Sequence, residues 1–479
     1  MYLLLFSHHN AWDARGVSTT FSVIGEAHSI NISNKAIIVD ARYRMSLPVI
    51  RSLGRAGVGV VASDREATPQ KSALGFYSRY CTGELRLPAA DADPDGFLSV
   101  LKEYSANLEE PPVIIPVGID SVLAMCKERE QIASWAHIAL PPFDSIMLAN
   151  DKGRLIPYAH SIGIPCPETT VRGEGESIDE LAMRIGYPVV IKLTAGEMLG
   201  LSPQDRYAIV DNKTSFAERF MHMEAHSTDL LIQEYAPGDG WGVSAVFDKS
   251  SEPLAVFCHR RLREYPVSGG PSCYCVSAWN DDLVAHAVKL LRELKWVGVA
   301  MVEFKGTPAN GFKLMEINPR FWGSLALSTA SKCDIPLAVY RAAKGEHIDD
   351  FHPLLNSNNH DGANEVLTKV SSGDTPAIEN LNTSALSGYD LDNINSSEHK
   401  YKFEYKPKYK LNKKLRFVLQ DLLSFRGYLK SSDNKLRFIV TFFAGYLNPT
   451  TAEGVFSWRD LRSSLRYFLN ALSKRDKIL

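Results

Sequence analysis

Met301-Val302-Glu303-Phe304 and Lys313-Leu314-Met315-Glu316-Ile317-Asn318-Pro319-Arg320 are two alternating runs of β-forming residues. The connector Gly306-Thr307-Pro308-Ala309-Asn310-Gly311 has hairpin chemistry. Pairing the runs sets Glu303 opposite Glu316, or one diagonal step from it, with Asn318 on the face of Glu316. Like charges across a strand pair repel unless something positive lies between them. Two carboxylates and an amide oxygen suit a hard divalent cation that shares phosphate oxygens. In the plain alternative both acids point to water. Arg320 follows the proline that ends the strand pattern and crowds a guanidinium into the same few residues.

Around this hairpin lies a chain of 479 residues, long enough for two to four domains. Its 45% apolar and 23% charged content is that of an ordinary globular protein, and a net charge of −2 points to neither nucleic acid nor membrane. The average hides an asymmetry, because residues 401–479 hold 17 basic against 6 acidic residues and the first 400 hold 36 against 49. The seven cysteines have no metal-framework spacing; Cys273-Tyr274-Cys275 reads as alternate strand positions, and a reducing cytoplasm is expected. The apolar start Tyr2–Phe6 lacks the basic flank and length of a secretory signal, and no run reaches the roughly 20 apolar residues that span a bilayer.

Taken in order, residues 1–34 read as an irregular arm. Strands at Lys35–Asp40, Val58–Asp64, Arg79–Leu87 and Val113–Pro116 alternate with helical stretches, so residues 35–145 predict a doubly wound α/β sheet. Arg42, Arg44 and Asp120 fall just past strand ends, but no G-x-G-x-x-G follows the first strand, which argues against nucleotide binding there. From 146 to 345 the pattern is mixed α+β, with strands near Tyr187–Leu193, Leu230–Tyr235, Val243–Asp248 and Leu254–Arg263, a helix at Asp281–Leu294 and a last one through Leu325–Lys344. Residues 346–400 have linker composition. The tail 401–479 alternates aromatic and basic residues and then turns helical around Leu411–Leu429, Lys435–Leu447 and Ser457–Leu472.

Several positions carry candidate chemistry beside the hairpin. Lys192 ends a buried strand and precedes Thr194–Gly200, where backbone could approach a phosphate chain and the ammonium supply a point charge. Lys152, after Asp151 at a helix start, is a second candidate phosphate ligand; a capped surface pair is the alternative. Gln233-Glu234-Tyr235-Ala236 is a strand edge whose backbone groups suit the amino and ring-nitrogen edge of adenine. In His259-Arg260-Arg261-Leu262-Arg263, strand alternation puts Arg261 and Arg263 on one face, where two guanidiniums suit carboxylate or phosphate oxygens. The acidic surroundings argue against nucleic acid as their partner.

Asp151-Lys152, Val190-Ile191-Lys192, Ile232–Tyr235, Arg261-x-Arg263 with Gly269-Gly270, Val302-Glu303-Phe304 and Glu316–Arg320, in this order, resemble the ATP-grasp superfamily. The resemblance is closest to its branch of carboxylate–amine ligases and carboligases that includes D-aspartate ligase-like enzymes. It extends more distantly to biotin carboxylase and carbamoyl phosphate synthetase. Across residues 35–345 it implies a preceding α/β domain and two lobes that clasp ATP. By this resemblance Lys152 and Lys192 hold phosphates, Glu234 and Ala236 meet adenine through their backbone, and Asp239 is the candidate ribose ligand. Glu303, Glu316 and Asn318 bind magnesium, which manganese could replace, while Arg261, Arg263 and Arg320 face an acyl phosphate. The implied reaction joins a small carboxylate to an amine in the cytoplasm and releases ADP and phosphate. Alternatives are a carboxylase or carbamoyl-type kinase acting on bicarbonate, and a non-catalytic nucleotide binder. The basic tail suits either peripheral contact with anionic lipid or another polyanion, or a helical cap packed on the acidic body. Oligomeric state stays open, a homodimer being compatible with this reading.

Overall fold

The computed structural model describes residues 35–193, 205, 207–267, 270–346 and 406–473. The arm 1–34, the loop Thr194–Gly200 expected to approach a phosphate chain, Gly269 and nearly all of the 346–400 linker lie outside the described residues.

Strands β1 (Lys35–Val39), β2 (Gly59–Arg65), β3 (Cys81–Leu87) and β4 (Val113–Pro116) form a parallel sheet in the order β3-β2-β1-β4. The continuous apolar runs of β1 and β4 are buried along nearly their whole length, as expected of parallel strands covered on both faces. The polar groups past these strand ends are spent on one another. Arg42 pairs with Asp40 at 2.9 Å and Asp64 at 2.7 Å, and Arg65 with Asp120 at 2.6 Å. The Arg44 guanidinium stacks 4.2 Å from the Phe417 ring.

A smaller antiparallel sheet has the order β5-β8-β6-β7, from β5 (Thr169–Thr170), β6 (Val189–Leu193), β7 (Tyr207–Val210) and β8 (Leu230–Glu234). Helix Ile178–Arg184, opened by a Ser177/Glu180 capping box, and helix Lys213–Glu224 cover it. Its core is its own, built on Leu181, Ile191, Phe216, Phe220 and Ile232.

The third sheet holds β9 (Asp239–Phe247), β10 (Pro253–Glu264), β11 (Ser272–Ala278), β12 (Gly298–Thr307), β13 (Gly311–Asn318), β14 (Lys414–Arg416) and β15 (Ala452–Glu453). Its order is β13-β12-β9-β10-β11-β14-β15. Val302 and Leu314 of this sheet share a core with Val39 and Ile114 of the first, so the two large units are packed together. The helix expected through Leu325–Lys344 is broken into Ala326–Ala330 and Ile335–Lys344. Lys332 adopts a left-handed φ of 74° between them, and Pro336 stands in the first turn of the second, where it needs no helical N–H partner.

The C-terminal segment is part of this body. Where helix was expected from Leu411, β14 extends the sheet by pairing Leu415 with Cys275 and Arg416 with Tyr274, and the helix starts only at Val418. Two further helices, Lys435–Ala444 and Leu461–Ser473, complete the segment. Its anchors reverse the expected charge logic. The segment is basic, yet its buried acids meet arginines of the body. Asp460 accepts from Arg51 Nε, Ser78 Oγ and the Arg79 N–H, each at 2.8 Å. Asp421 takes both arms of Arg263, at 2.6 and 2.8 Å, and the Tyr446 hydroxyl at 2.8 Å. Among the described residues no helix is long and apolar enough to cross a membrane.

Candidate functional site

β12 and β13 pair with Glu303 directly across from Glu316, the tighter of the two registers the sequence allowed, and Met301 across from Asn318. The Asn318 amide bridges the acids, Nδ2 donating to Glu303 Oε1 at 3.1 Å and Glu316 Oε1 at 3.3 Å. The chain supplies the compensating charge itself. Arg261 Nη2 lies 2.5 Å from Glu303 Oε2, and Lys152 Nζ lies 2.9 Å from Glu316 Oε2. Lys152 is the first residue of helix Lys152–Ser161, whose N-terminus is fixed by Asp151 accepting from the Gly153 and Arg154 N–H groups. Residues from the hairpin, β10 and a helix start therefore converge on one acid pair.

Lys192 comes to this cluster from β6 of the smaller sheet, its Nζ donating to Gln233 Oε1 at 2.6 Å. Burial pushes its ammonium down to about 8, against the pull of Glu316, while Lys152 and Lys305 push the same way as burial. Burial alone would raise the Glu316 carboxyl, but the bonded Lys152, with Lys192 and Arg261, holds it well below the usual carboxylate range. Burial likewise works against the Arg261 cation, and Glu303 and Glu264 more than restore it. Beneath Arg261 on β10, His259 is fully buried and held down to about 3, by burial first and then by Arg261, so it sits there neutral, Nε2 facing Ser324 Oγ at 3.2 Å. Gly242 is what lets it lie so close: a Cβ there would meet the His259 ring at 2.4 Å.

At the strand edge of β8, Gln233 contributes its side chain, holding Lys192 and donating to Thr169 Oγ1 at 3.1 Å. The Glu234 N–H donates to the Glu168 carbonyl at 2.8 Å and the Tyr235 N–H to the Pro188 carbonyl at 3.4 Å. The buried Ala236 N–H has no backbone partner among the described residues, which makes it the open donor of the four. The Glu234 carboxylate is held by Lys313, and Lys305 lies 4.9 Å over the Tyr235 ring, so β12 and β13 brace this edge. Asp239 is exposed and pairs with Arg260 at 3.5 Å.

Arg263 is not brought to the acids, contrary to the alternation expected of β10. The β10–β11 register slips, pairing Arg261 with Cys275 but Arg263 with Tyr274, neighbours that face opposite sides of the sheet. The Arg263 guanidinium lies 4.3 and 4.5 Å over the Tyr274 and Phe442 rings and binds Asp421. Arg320, two residues past Asn318, donates from Nη1 to the Phe321 carbonyl at 2.9 Å. Lys305, Lys313 and Glu264 join the site without a signal in the sequence, because the two lysines alternate along hairpin strands as solvated charges do and nothing in their spacing sets them apart.

Residues 226–360 match the family model described as ATP-grasp in the biosynthetic pathway with Ter operon. Over 337 residues the chain is 23% identical to a biotin carboxylase of Nostoc sp., covering 65% of this chain and 71% of that protein. The biotin carboxylase structure from Campylobacter jejuni superposes with a TM-score of 0.53 at 16% identity, over 66% of this chain and 72% of that one. These likenesses support the ATP-grasp superfamily, with the family match itself confined to residues 226–360. A further relative, the carbamoyl phosphate synthase large chain of Thermomicrobium roseum, is 25% identical over 286 residues, 57% of this chain and only a quarter of that protein. The biotin carboxylase domain of the Hydrogenobacter thermophilus 2-oxoglutarate carboxylase, solved with MgADP, ADP and bicarbonate, superposes with a TM-score of 0.51 at 17% identity, over 66% of this chain and 70% of that one.

The donor set fits the magnesium that accompanies nucleotide in that relative. Glu303, Glu316 and Asn318 present hard oxygen donors on one face of the hairpin, and turning the Asn318 amide about its last torsion exchanges its nitrogen for its oxygen.

Proposed function

We propose that this chain is an ATP-dependent ligase that activates a carboxylate as an acyl phosphate and passes the acyl group to an amine. The observation that carries the reading is the facing pair Glu303 and Glu316, compensated by Arg261 and Lys152 with Lys192 alongside. In the proposed reaction a carboxylate oxygen attacks the γ-phosphorus of ATP, the bond from that phosphorus to the β,γ-bridging oxygen breaks, and ADP leaves. The amine then attacks the acyl carbon, the C–O bond to phosphate breaks, and the nitrogen loses a proton. Lys152 and Lys192 hold phosphate oxygens, Ala236 and the Glu234 carbonyl hold the adenine edge, and Arg261 with Arg320 offsets charge on the transferred phosphoryl group. Magnesium on Glu303, Glu316 and Asn318 would supply further neutralisation of those oxygens. A carboxylate is already a nucleophile, so positioning and charge compensation suffice and no general base is needed for the first step. All seven cysteines are unpaired, which suits a cytoplasmic enzyme.

Bicarbonate as the activated carboxylate is the second reading. It is favoured by the biotin carboxylase and carbamoyl phosphate synthase relatives and by the bicarbonate in one related structure. ADP release measured with amino acids, short peptides and bicarbonate, each with and without an amine, separates the two. Amine-dependent release with an organic carboxylate supports the ligase, and release with bicarbonate alone supports the carboxylase. Release that is unchanged by every carboxylate would overturn both.

A further inference from the structure

Beyond Arg261, β10 is held from outside its own sheet. The β10–β11 ladder slips twice, between Arg261 and Arg263 and between Arg263 and Glu264, so sheet pairing alone does not fix that end of the strand. Helix Val418–Ser431 supplies what the ladder lacks. Asp421 grips Arg263 through two hydrogen bonds, at 2.6 and 2.8 Å. The Tyr428 hydroxyl accepts the backbone N–H of Glu264 at 2.8 Å, and Glu264 in turn pairs with Arg261 at 3.3 Å. Gly427 lies so close to Val267 that a Cβ would come within 2.5 Å of its side chain. Asp421 and Tyr428 are seven residues apart and share one helix face, with the buried Ser424 between them.

We infer that helix Val418–Ser431 is a positioning element for Arg261, with Asp421 and Tyr428 as its working residues. By fixing Arg263, Glu264 and Val267, the helix sets the strand end from which Arg261 reaches the acid pair. The C-terminal segment is thereby part of the phosphate side of the site. This rests on the ATP-site reading above. Small displacements of a group that binds a reacting phosphate carry large penalties, so loss of a remote contact registers at the site.

The test uses the full chain and measures two affinities by calorimetry: Mg·ADP, and inorganic phosphate added to the Mg·ADP-loaded protein. Tyr428→Phe removes one hydroxyl, and Asp421→Asn keeps the shape while removing the charge. The expected result is an unchanged Mg·ADP affinity and a phosphate affinity weakened about tenfold or more. Arg261→Ala should weaken phosphate binding at least as much, and Tyr428→Phe should add little to that loss, because both act through one group. A merely structural helix would lower thermal stability and weaken both affinities together, or neither. Should Asp421→Asn fail to fold, Tyr428→Phe carries the test. Phosphate bound equally by wild type and Tyr428→Phe, or by neither, overturns the inference. A wild type that binds no Mg·ADP overturns the ATP-site reading itself and takes the inference with it.

Discussion

Arg261 and Arg263 stand two residues apart on one strand and end in charge clusters of opposite character. Arg263 enters a closed knot, where Asp421 is fully buried and takes Arg263, Arg416 and the Tyr446 hydroxyl. Arg416 lies 3.0 Å from Asp421, within ion-pair distance though out of hydrogen-bonding alignment. Arg261 enters an open cluster, where Glu316 keeps 29% of its side chain accessible and the cations arrive from separate elements. Similar residue types therefore serve two ends. An acid whose acceptors are all used by one interior is a fastening; facing acids whose counter-ions would give way to a metal and a phosphate chain are, in the proposed reading, a site.

The contrast can be broken most forcefully at the knot. Asp421→Ala leaves two arginines without their buried partner and should cost about 3–5 kcal/mol, read as a fall in the chemical-denaturation midpoint. A cost below about 1 kcal/mol would mean that the knot fastens nothing. The open cluster should respond less in the ligand-free protein. A sequence-level view makes Glu316→Ala harmless there, since it removes a repulsion, but Lys152 and Lys192 reverse the sign. Removing Glu316 should cost about 1–2 kcal/mol, less than a fully buried pair because water reaches it. That contribution is present above the ordinary carboxylate range and is lost as pH falls through the lowered pKa of Glu316.

Lys192 sharpens the same contrast through pH. With its folded-state value lowered to about 8 from 10.5, the folded chain binds fewer protons than the unfolded chain between those values. Its contribution to stability therefore grows more favourable as pH rises through that window. Phosphate binding needs the charged form, so Mg·ATP affinity should fall above about pH 8, approaching tenfold per pH unit, with proton uptake on binding seen as a buffer-dependent enthalpy. Lys192→Arg should flatten the profile, and a flat wild-type profile would remove Lys192 from the phosphate site. The smallest effect is expected at Lys313→Ala, which breaks a partly exposed pair with Glu234 and should cost about 0.5 kcal/mol or less in stability.

Much of this arrangement was legible in the chain. Alternating β-formers marked the hairpin that carries Glu303 and Glu316, although a slip in its ladder between Glu303 and Phe304 is what brings the two acids face to face, and continuous apolar runs marked β1, β4 and β6. What escaped has local causes. The slip that turns Arg263 away depends on one surplus residue in a ladder, and nothing in His259–Arg263 announces it. Tyr409, in a run that reads as basic and aromatic, spends its hydroxyl on the Cys258 and Ala278 backbone, a contact across more than 130 residues that no local pattern encodes. Net charge misled for the C-terminal segment, because two buried acids, Asp421 and Asp460, outweigh the many solvated lysines in fixing where it sits.

Calorimetric titration of Mg·ATP into the wild-type chain and into Glu303→Gln/Glu316→Gln, each with and without magnesium, tests the central claim most directly. One site per chain is expected in the wild type, strengthened by magnesium, with loss of that magnesium dependence in the double variant. Equal, magnesium-independent binding by both proteins, or none by the wild type, would contradict it.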